Sequence, residues 1–87
     1  MVKIWSDGAW EDYLYWQAQD KKTLRRVNQL LLDIDRNGHK GIGKPEPLKH
    51  DKHGYWSRRI DDVNRLVYRI VDNRIEIAQC RTHYDER

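Results

Sequence analysis

The sequence predicts an α+β domain in which two N-terminal helices pack on a twisted antiparallel sheet of four to five strands. Three observations carry this reading. Apolar residues recur at intervals of three and four before residue 38, they alternate with polar ones after residue 55, and between the two lies a segment without periodicity. That middle segment, His39 to Gly54, holds three glycines and both prolines of the chain.

Val2 to Trp5 reads as a short strand. Ser6 is then a good N-cap, with Asp7 in the first turn, where the helix dipole favours an acid, and with Trp5 and Trp10 at staple positions across the cap. Trp10, Tyr13, Leu14 and Gln17 follow helical spacing and predict a buried aromatic stripe. Asp20 caps a second helix whose Leu24, Val27, Leu31 and Ile34 face the core, and Asn37-Gly38 suits its left-handed end. Lys21, Lys22, Arg25 and Arg26 decorate its outer face. After the aperiodic loop, Tyr55 to Ile60, Arg65 to Val71 and Arg74 to Tyr84 read as three strands of a meander, with Asp72-Asn73 as a hairpin turn. Leu66, Tyr68, Ile70, Ile75 and Ile77 should receive the helices, and Cys80 reads as half-buried.

The 87 residues suffice for one small core and are read as a single domain, 1–87. No apolar run approaches a membrane span and the first residues do not read as a signal peptide. A lone cysteine excludes an internal disulfide, so a reducing cytoplasm is the expected location. Net charge is +3, and its position matters more than its size. Residues 1–39 hold six cations and six acids, whereas 40–87 hold eleven cations against eight acids; between Lys40 and Ile60 the count is six against two. That basic field fits a polyanion, RNA or DNA above all.

Within it, Gly43 to His50 reads Gly-Lys-Pro-Glu-Pro-Leu-Lys-His. Glu46 both follows and precedes a proline, which leaves it little backbone freedom and sets a carboxylate rigidly between Lys44 and Lys49. Arginines at 58, 59, 65 and 81 and the pair His83-Tyr84 follow. Of Arg58 and Arg59, adjacent on a strand, one must be solvated or pair with an acid. A fixed carboxylate, arginines and a histidine are the groups needed to cleave RNA without a metal. A base removes the ribose 2′-OH proton, cations stabilise the crowded phosphorane, and an acid protonates the departing 5′-oxygen. Histidine suits the last task because its ordinary pKa lies near neutrality, and Tyr84 can stack on a base or position the phosphate. His50 and His53 are three apart, but thiolate and carboxylate company is thin and no His-Glu-x-x-His or Cys-x-x-Cys pattern occurs, so no metal centre is expected. Gly41-Ile42-Gly43 lacks the P-loop spacing, and no cofactor is expected.

The order Gly-Lys-Pro-Glu-Pro-Leu-Lys, Gly-Tyr-Trp-Ser-Arg-Arg-Ile, Asn-Arg-Leu-Val-Tyr and Cys-Arg-Thr-His-Tyr resembles the YoeB (Txe/YoeB) toxins of bacterial type II toxin–antitoxin systems, within the wider RelE-like fold. The resemblance runs from Ile4-Trp5-Ser6 through Tyr84. It implies a ribosome-dependent mRNA endoribonuclease, an mRNA interferase that cuts in the A site of the 70S ribosome, inhibits translation and is held in check by a YefM-like antitoxin. Carried over residue by residue, it implies Glu46 as general base, His83 as general acid, and Arg65 and Arg59 as phosphate stabilisers, with Lys49, Lys44 and Tyr84 assisting. It also implies a homodimer. Two departures stand out: the chain continues past His83-Tyr84 with Asp85-Glu86-Arg87, and the loop before Glu46, Gly38-His39-Lys40-Gly41-Ile42, lacks the Pro-Phe often found there in the family.

Two rival readings keep the fold and drop the chemistry: a RelE/ParE-type toxin that occupies a protein target, and a sheet-based RNA-binding module. A binder has no need of a base, a cation and an acid together, and an RNP-like aromatic pair is missing. Register poses a last problem. A plain two-residue turn at Asp72-Asn73 sets Arg65 opposite Cys80, on the face His83 does not share. Either an odd loop or a bulge flips the facing, or His83 and Tyr84 lie beyond the last paired residue. The second is favoured, because the terminal pair follows a strand already long for a small sheet. Glu46, Arg59, Arg65 and His83 are expected around one basic concavity on the sheet face away from the helices.

Overall fold

The computed structural model describes residues 1–82; His83, Tyr84 and the three residues after them lie outside that range. The order is β1 (Val2–Trp5), α1 (Asp7–Gln19), α2 (Lys21–Asn37), β2 (Glu46–Pro47), a 3-10 turn (His50–Lys52), β3 (Trp56–Arg59), β4 (Arg65–Val71) and β5 (Arg74–Gln79). The five strands form one sheet in the order β1-β5-β4-β3-β2. The α+β class and the two-helix layer are as expected, with one refinement: the sheet is mixed, because β1 runs parallel to β5. The short first strand carries no signal of pairing direction.

The helix ends form where the side chains can close them. The Ser6 hydroxyl accepts the Ala9 N–H, an Asp20 carboxylate oxygen accepts that of Thr23, and Gly38 ends α2 with φ +64°. On α2 the buried residues are Val27, Leu30, Leu31 and Ile34. On α1 the inward face is Ala9, Asp12 and Trp16 with Tyr13 beside them, not the stripe expected from Trp10 and Leu14, both of which are exposed. The spacing 9, 12, 13, 16 is the better helical face, but a small residue and an acid disguise it. Trp10 instead stacks on Tyr13 and meets Trp5 edge-on, ring centroids 5.7 Å apart in each case, at the margin of the core.

Cys80 is fully buried, not half-buried, and three contacts from α1 account for that. The Trp16 indole donates to its carbonyl at 2.7 Å, the Asp12 carboxylate accepts its N–H at 3.0 Å, and its thiol approaches the Ala9 carbonyl. The two-residue turn forms at Asp72-Asn73, both left-handed at φ 50° and 60° as a type I′ hairpin requires. Pairing then proceeds in simple register from Val71–Arg74 to Tyr68–Ile77, after which β5 carries one extra residue and Val67 faces Gln79. This bulge at Ala78 is the route the sequence reading weighed without favouring it; the regular strand also ends at Gln79 instead of continuing to Tyr84, and His83 and Tyr84 lie outside the described residues. The cause of the bulge is visible on both sides. Ser6 donates its hydroxyl proton to the Ala78 carbonyl, and α1 draws Cys80 into the core, where in unbulged register Gln79 would stand.

Removing the Trp16 indole donor is expected to destabilise the protein by about 1–3 kcal/mol, the usual cost of depriving a buried acceptor of its partner. In urea unfolding Trp16→Phe should lower the midpoint with an unchanged m-value; an unchanged midpoint would show that the carbonyl finds another donor.

Candidate active site

The aperiodic loop acquires its shape from Arg58. On β3 this residue faces the helices, where its side chain is 0% exposed. It donates to the Asp33 carboxylate, the Tyr68 hydroxyl and the main-chain carbonyls of Gly38, Lys40 and Ile42. Asp33 also accepts the Ile42 N–H, and the Arg58 guanidinium holds its carboxyl below the usual carboxylate range against the opposing effect of burial. Gly41 takes φ +120° where the loop passes this carboxylate, and a Cβ there would lie 2.0 Å from an Asp33 oxygen. Gly43, at φ +80°, threads between Leu30 of α2 and β3, and its carbonyl accepts the Arg59 N–H at 2.7 Å.

The next residues leave that pinned point in one direction. Glu46 and Pro47 are not loop, as the sequence suggested, but a two-residue edge strand pairing with Ser57 and Trp56 of β3. An edge is where a sheet tolerates proline, because the missing N–H then faces away from the ladder. The chain stays attached through the Leu48 N–H, which bonds the Tyr55 carbonyl, and through the buried Leu48 side chain.

Register now assigns faces. Glu46, Ser57, Val67 and Gln79 are successive cross-strand partners and form one row; Arg59 and Arg65 are partners and form the next. Arg58 pairs with Leu66 and belongs to the helix-covered face, so the row of Glu46 and the row of Arg59 and Arg65 both lie on the face away from the helices. Of the two adjacent arginines, Arg58 is the one paired with an acid and Arg59 the exposed one. Glu46 is exposed, as are Lys44 and Lys49, the latter preceding the 3-10 turn; residues 46–52 line a shallow groove. Arg65 is half-buried, and its Nη1 donates to the carbonyls of Asp61 and Asn64, which leaves its other donors for an anion. Glu46, Arg59 and Arg65 are therefore brought to one face, with Lys44 and Lys49 flanking Glu46, while His83 and Tyr84 fall outside the described residues. Arg81 is not part of this group, since its guanidinium lies over the Tyr15 ring of α1 at 3.6 Å.

Three contributors escaped the sequence reading. Asp33, on a helix, gave no sign of a partner 25 residues away. Gln79 moves to this face only through the bulge. His39 stacks on Trp56 with centroids 4.1 Å apart, its Nδ1 3.5 Å from the Tyr68 hydroxyl, so it fills an aromatic slot beside Arg58. Among the described residues no group of three or more His, Cys, Asp and Glu is placed to hold a metal ion, and no helix is long and apolar enough to cross a membrane.

The family model for YoeB-like toxins of bacterial type II toxin–antitoxin systems matches residues 5–84. Toxin YoeB of Escherichia coli (strain K12) is 51% identical over 84 residues, covering 97% of this chain and 100% of that protein. A solved YoeB/ParE toxin from Agrobacterium tumefaciens matches with a TM-score of 0.94 at 44% identity, over 97% of this chain and 100% of that one. The YoeB-YefM complex from Staphylococcus aureus contains a chain matching with a TM-score of 0.91 at 50% identity, over 97% and 98% of the two chains. The YoeB dimer from the same organism matches equally, at 0.91 and 52% over the same shares.

His39 gives the loop a measurable pH dependence. Burial, and secondarily the Arg58 guanidinium, hold its imidazole below the ordinary value of 6.5. The unfolded chain therefore takes up this proton first as the pH falls, so stability is complete above about pH 6.5 and declines below it until the folded-state histidine is itself protonated. Urea midpoints measured between pH 7.5 and 5 should fall for the wild type and fall less for His39→Phe, which keeps the stack and cannot titrate. Parallel curves would remove His39 as the source.

Proposed function

Because the chain belongs to the YoeB-like toxin family of bacterial type II toxin–antitoxin systems, we propose that it is a ribosome-dependent mRNA endoribonuclease that cleaves in the A site and so inhibits translation. The observation that carries this reading is the gathering of Glu46, Arg59 and Arg65 on one sheet face, with Lys44 and Lys49 beside the carboxylate. Glu46 accepts the proton of the ribose 2′-OH, and the freed oxygen attacks the adjacent phosphorus. Arg65 and Arg59 stabilise the negative charge that accumulates on the phosphorane, and Lys49, Lys44 and Tyr84 help hold the backbone. His83, as an imidazolium, gives its proton to the 5′-oxygen as the P–O5′ bond breaks, leaving a 2′,3′-cyclic phosphate that water can open to a 3′-phosphate. Each charge in this scheme is met by a protein group, so it uses no metal ion.

The exposure of Glu46 and Arg59 suits a strand presented on a large particle better than a small substrate that must be enclosed. Relatives from Staphylococcus aureus solved with YefM and as a dimer support a YefM-like antitoxin as inhibitor and a homodimer as the free form. A substrate held on the ribosome implies a location in the bacterial cytoplasm.

Glu46→Gln should bind programmed ribosomes normally and cleave roughly a hundredfold more slowly or worse, since the amide keeps the shape and cannot take the proton. Arg65→Ala should behave in the same way. Lys22→Ala, on the outer face of α2, should instead weaken ribosome association and reduce its salt dependence. Analysis of the cut 3′ ends should find cyclic or terminal phosphate. Wild-type cleavage by Glu46→Gln would remove Glu46 from the mechanism, and equal losses of chemistry in Arg65→Ala and Lys22→Ala would end the division into site and steering charges.

A further inference from the structure

The sheet face that carries Glu46, Arg59 and Arg65 has a second feature, which the chemistry proposed above does not use. Val67 stands between Ser57 and Gln79 in the row of Glu46; it faces away from the helices, yet it is only 2% exposed. Together with Ala78, Tyr55 and Gln79 it lines a trough of about 210 Å³, whose remaining lining is Asp51 and Lys52. Those last two residues also line the groove of residues 46–52, so the trough continues the groove that begins at Glu46. Its volume lies below the roughly 300–1,000 Å³ of pockets that enclose a drug-sized molecule, and it suits a single planar ring.

Two of the lining side chains are held from behind. The Arg69 guanidinium lies over the Tyr55 ring, 5.0 Å from its centroid, and is itself paired with the Glu76 carboxylate. One side of the ring is thus occupied, and the other is left for a second flat group to stack on. Gln79 is 4% exposed, and its Nε2 donates to the carbonyls of Arg81 at 3.1 Å and Thr82 at 3.4 Å. Two carbonyl acceptors at one end of the carboxamide place its oxygen at the other. That Oε1 accepts no hydrogen bond among the described residues, and it is not sealed off, since the Thr82 hydroxyl is the one fully buried side-chain polar atom among them that lacks a partner. A side chain otherwise buried therefore keeps one acceptor open, in the wall of a trough. The bulge at Ala78 is what turns Gln79 to this face, and bulges beside functional sites re-aim side chains in this way.

Single-stranded RNA is read by such an arrangement: an unstacked base lies on an aromatic ring and hydrogen-bonds at its edge, while cations hold the backbone. The cations here are Arg59 and Arg65, in the adjacent row of the same face. Gln79 stands three strands from Glu46, roughly 14 Å at the usual inter-strand spacing, so the base it meets belongs to a neighbour of the nucleotide that Glu46 deprotonates. We propose that the trough is a base-reading subsite, in which the base of a nucleotide next to the cleaved bond stacks on Tyr55 and donates a hydrogen bond from its exocyclic amino group to Gln79 Oε1. Because Nε2 is spent on the chain, Gln79 offers an acceptor alone. Adenine, cytosine and guanine carry the matching amino group at N6, N4 or N2, and uracil carries none. The inference rests on the reading of the chain as a ribosome-dependent endoribonuclease.

The test is single-turnover cleavage on programmed ribosomes by the full-length chain. A-site codons are compared in which one base at a time is replaced by its counterpart without the amino group, guanine by hypoxanthine and adenine by unsubstituted purine. At one codon position the replacement should slow wild-type cleavage by about 2- to 10-fold, the usual worth of one hydrogen bond. Gln79→Leu, which keeps the size and removes the acceptor, should bring that ratio to about one. The ratio is the readout, because the same substitution also frees the carbonyls of Arg81 and Thr82 and so acts on the overall rate. Tyr55→Leu should slow cleavage by about fivefold or more through lost stacking, and Tyr55→Phe should recover most of it; this pair supplies the answer should Gln79→Leu fail to fold. Wild-type cleavage indifferent to the amino group at every codon position overturns the subsite and leaves the nuclease reading standing, as does a ratio that survives in Gln79→Leu. Undiminished cleavage by Tyr55→Leu removes the stacking platform and the inference with it. Failure of the wild type to cut any ribosome-bound mRNA overturns the nuclease reading and this inference together.

Discussion

A guanidinium removed entirely from water must find an acceptor for nearly every N–H, or the desolvation of its charge would unfold the region around it. Arg58 meets that requirement by recruiting one carboxylate, one phenol and three backbone carbonyls from a loop that has no ladder of its own. Those carbonyls belong to Gly38, Lys40 and Ile42, so the cation performs for this segment what a helix or a sheet performs elsewhere, by giving its polar groups partners. Everything downstream inherits the constraint. With Ile42 fixed, Gly43 can pass only between Leu30 and β3, and the Pro-flanked Glu46 then has no course but to pair along the sheet edge. The carboxylate on the outer face is held in place by a cation on the inner one.

Two neighbouring arginines are thereby separated by the alternation of a strand. Arg58 faces inward and is consumed by the fold, while Arg59 faces outward and remains exposed, with its N–H and carbonyl tied to Gly43 and Arg26. The bulge at Ala78 makes a comparable division on β5. In a plain hairpin register Cys80 would share a face with Arg65; with one residue inserted, Cys80 joins the core under α1, and Gln79 comes to the face of Glu46 and Arg65. A bulge next to a functional site re-aims side chains without lengthening the core. Here the energy that holds it comes from α1, through Trp16 and Asp12, so the helix farthest in sequence from the last strand decides how that strand ends.

The class of the fold was legible because periodicity alone distinguishes two helices from a meander, and the caps at Ser6, Asp20 and Gly38 mark their ends with residues that have one physical purpose. The hairpin at Asp72-Asn73 was legible for the same reason. What the sequence concealed were features set by contacts between distant segments. The buried face of α1 was misread because Ala9 and Asp12 look unlike core residues until Cys80 arrives to use them. The parallel direction of β1 is set by its pairing with β5, at the far end of the chain. The bulge was weighed and set aside, because strand length is visible in a sequence whereas the pull of Trp16 on Cys80 is not. Of the candidate site, Glu46 stood out through its prolines and Arg65 and Arg59 through their motifs, whereas Asp33, His39 and Gln79 take their places through geometry that no local pattern encodes.

Glu46 and Arg59 stand exposed on an open sheet face, with a shallow groove along residues 46–52 beside them. Such a face cannot by itself exclude water or bring a flexible RNA strand into line for attack, and alignment is worth several orders of magnitude in rate. In the reading proposed for this chain, that part of the work belongs to the ribosome, which already holds the mRNA, and the described residues contribute a carboxylate and cations fixed on one sheet face. Rigidity then matters more to this protein than enclosure. It fits a small domain that spends a buried arginine and a bulge on the positions of a few outward-facing groups. The same openness fits inhibition by a YefM-like partner, because a site without walls is silenced by covering it.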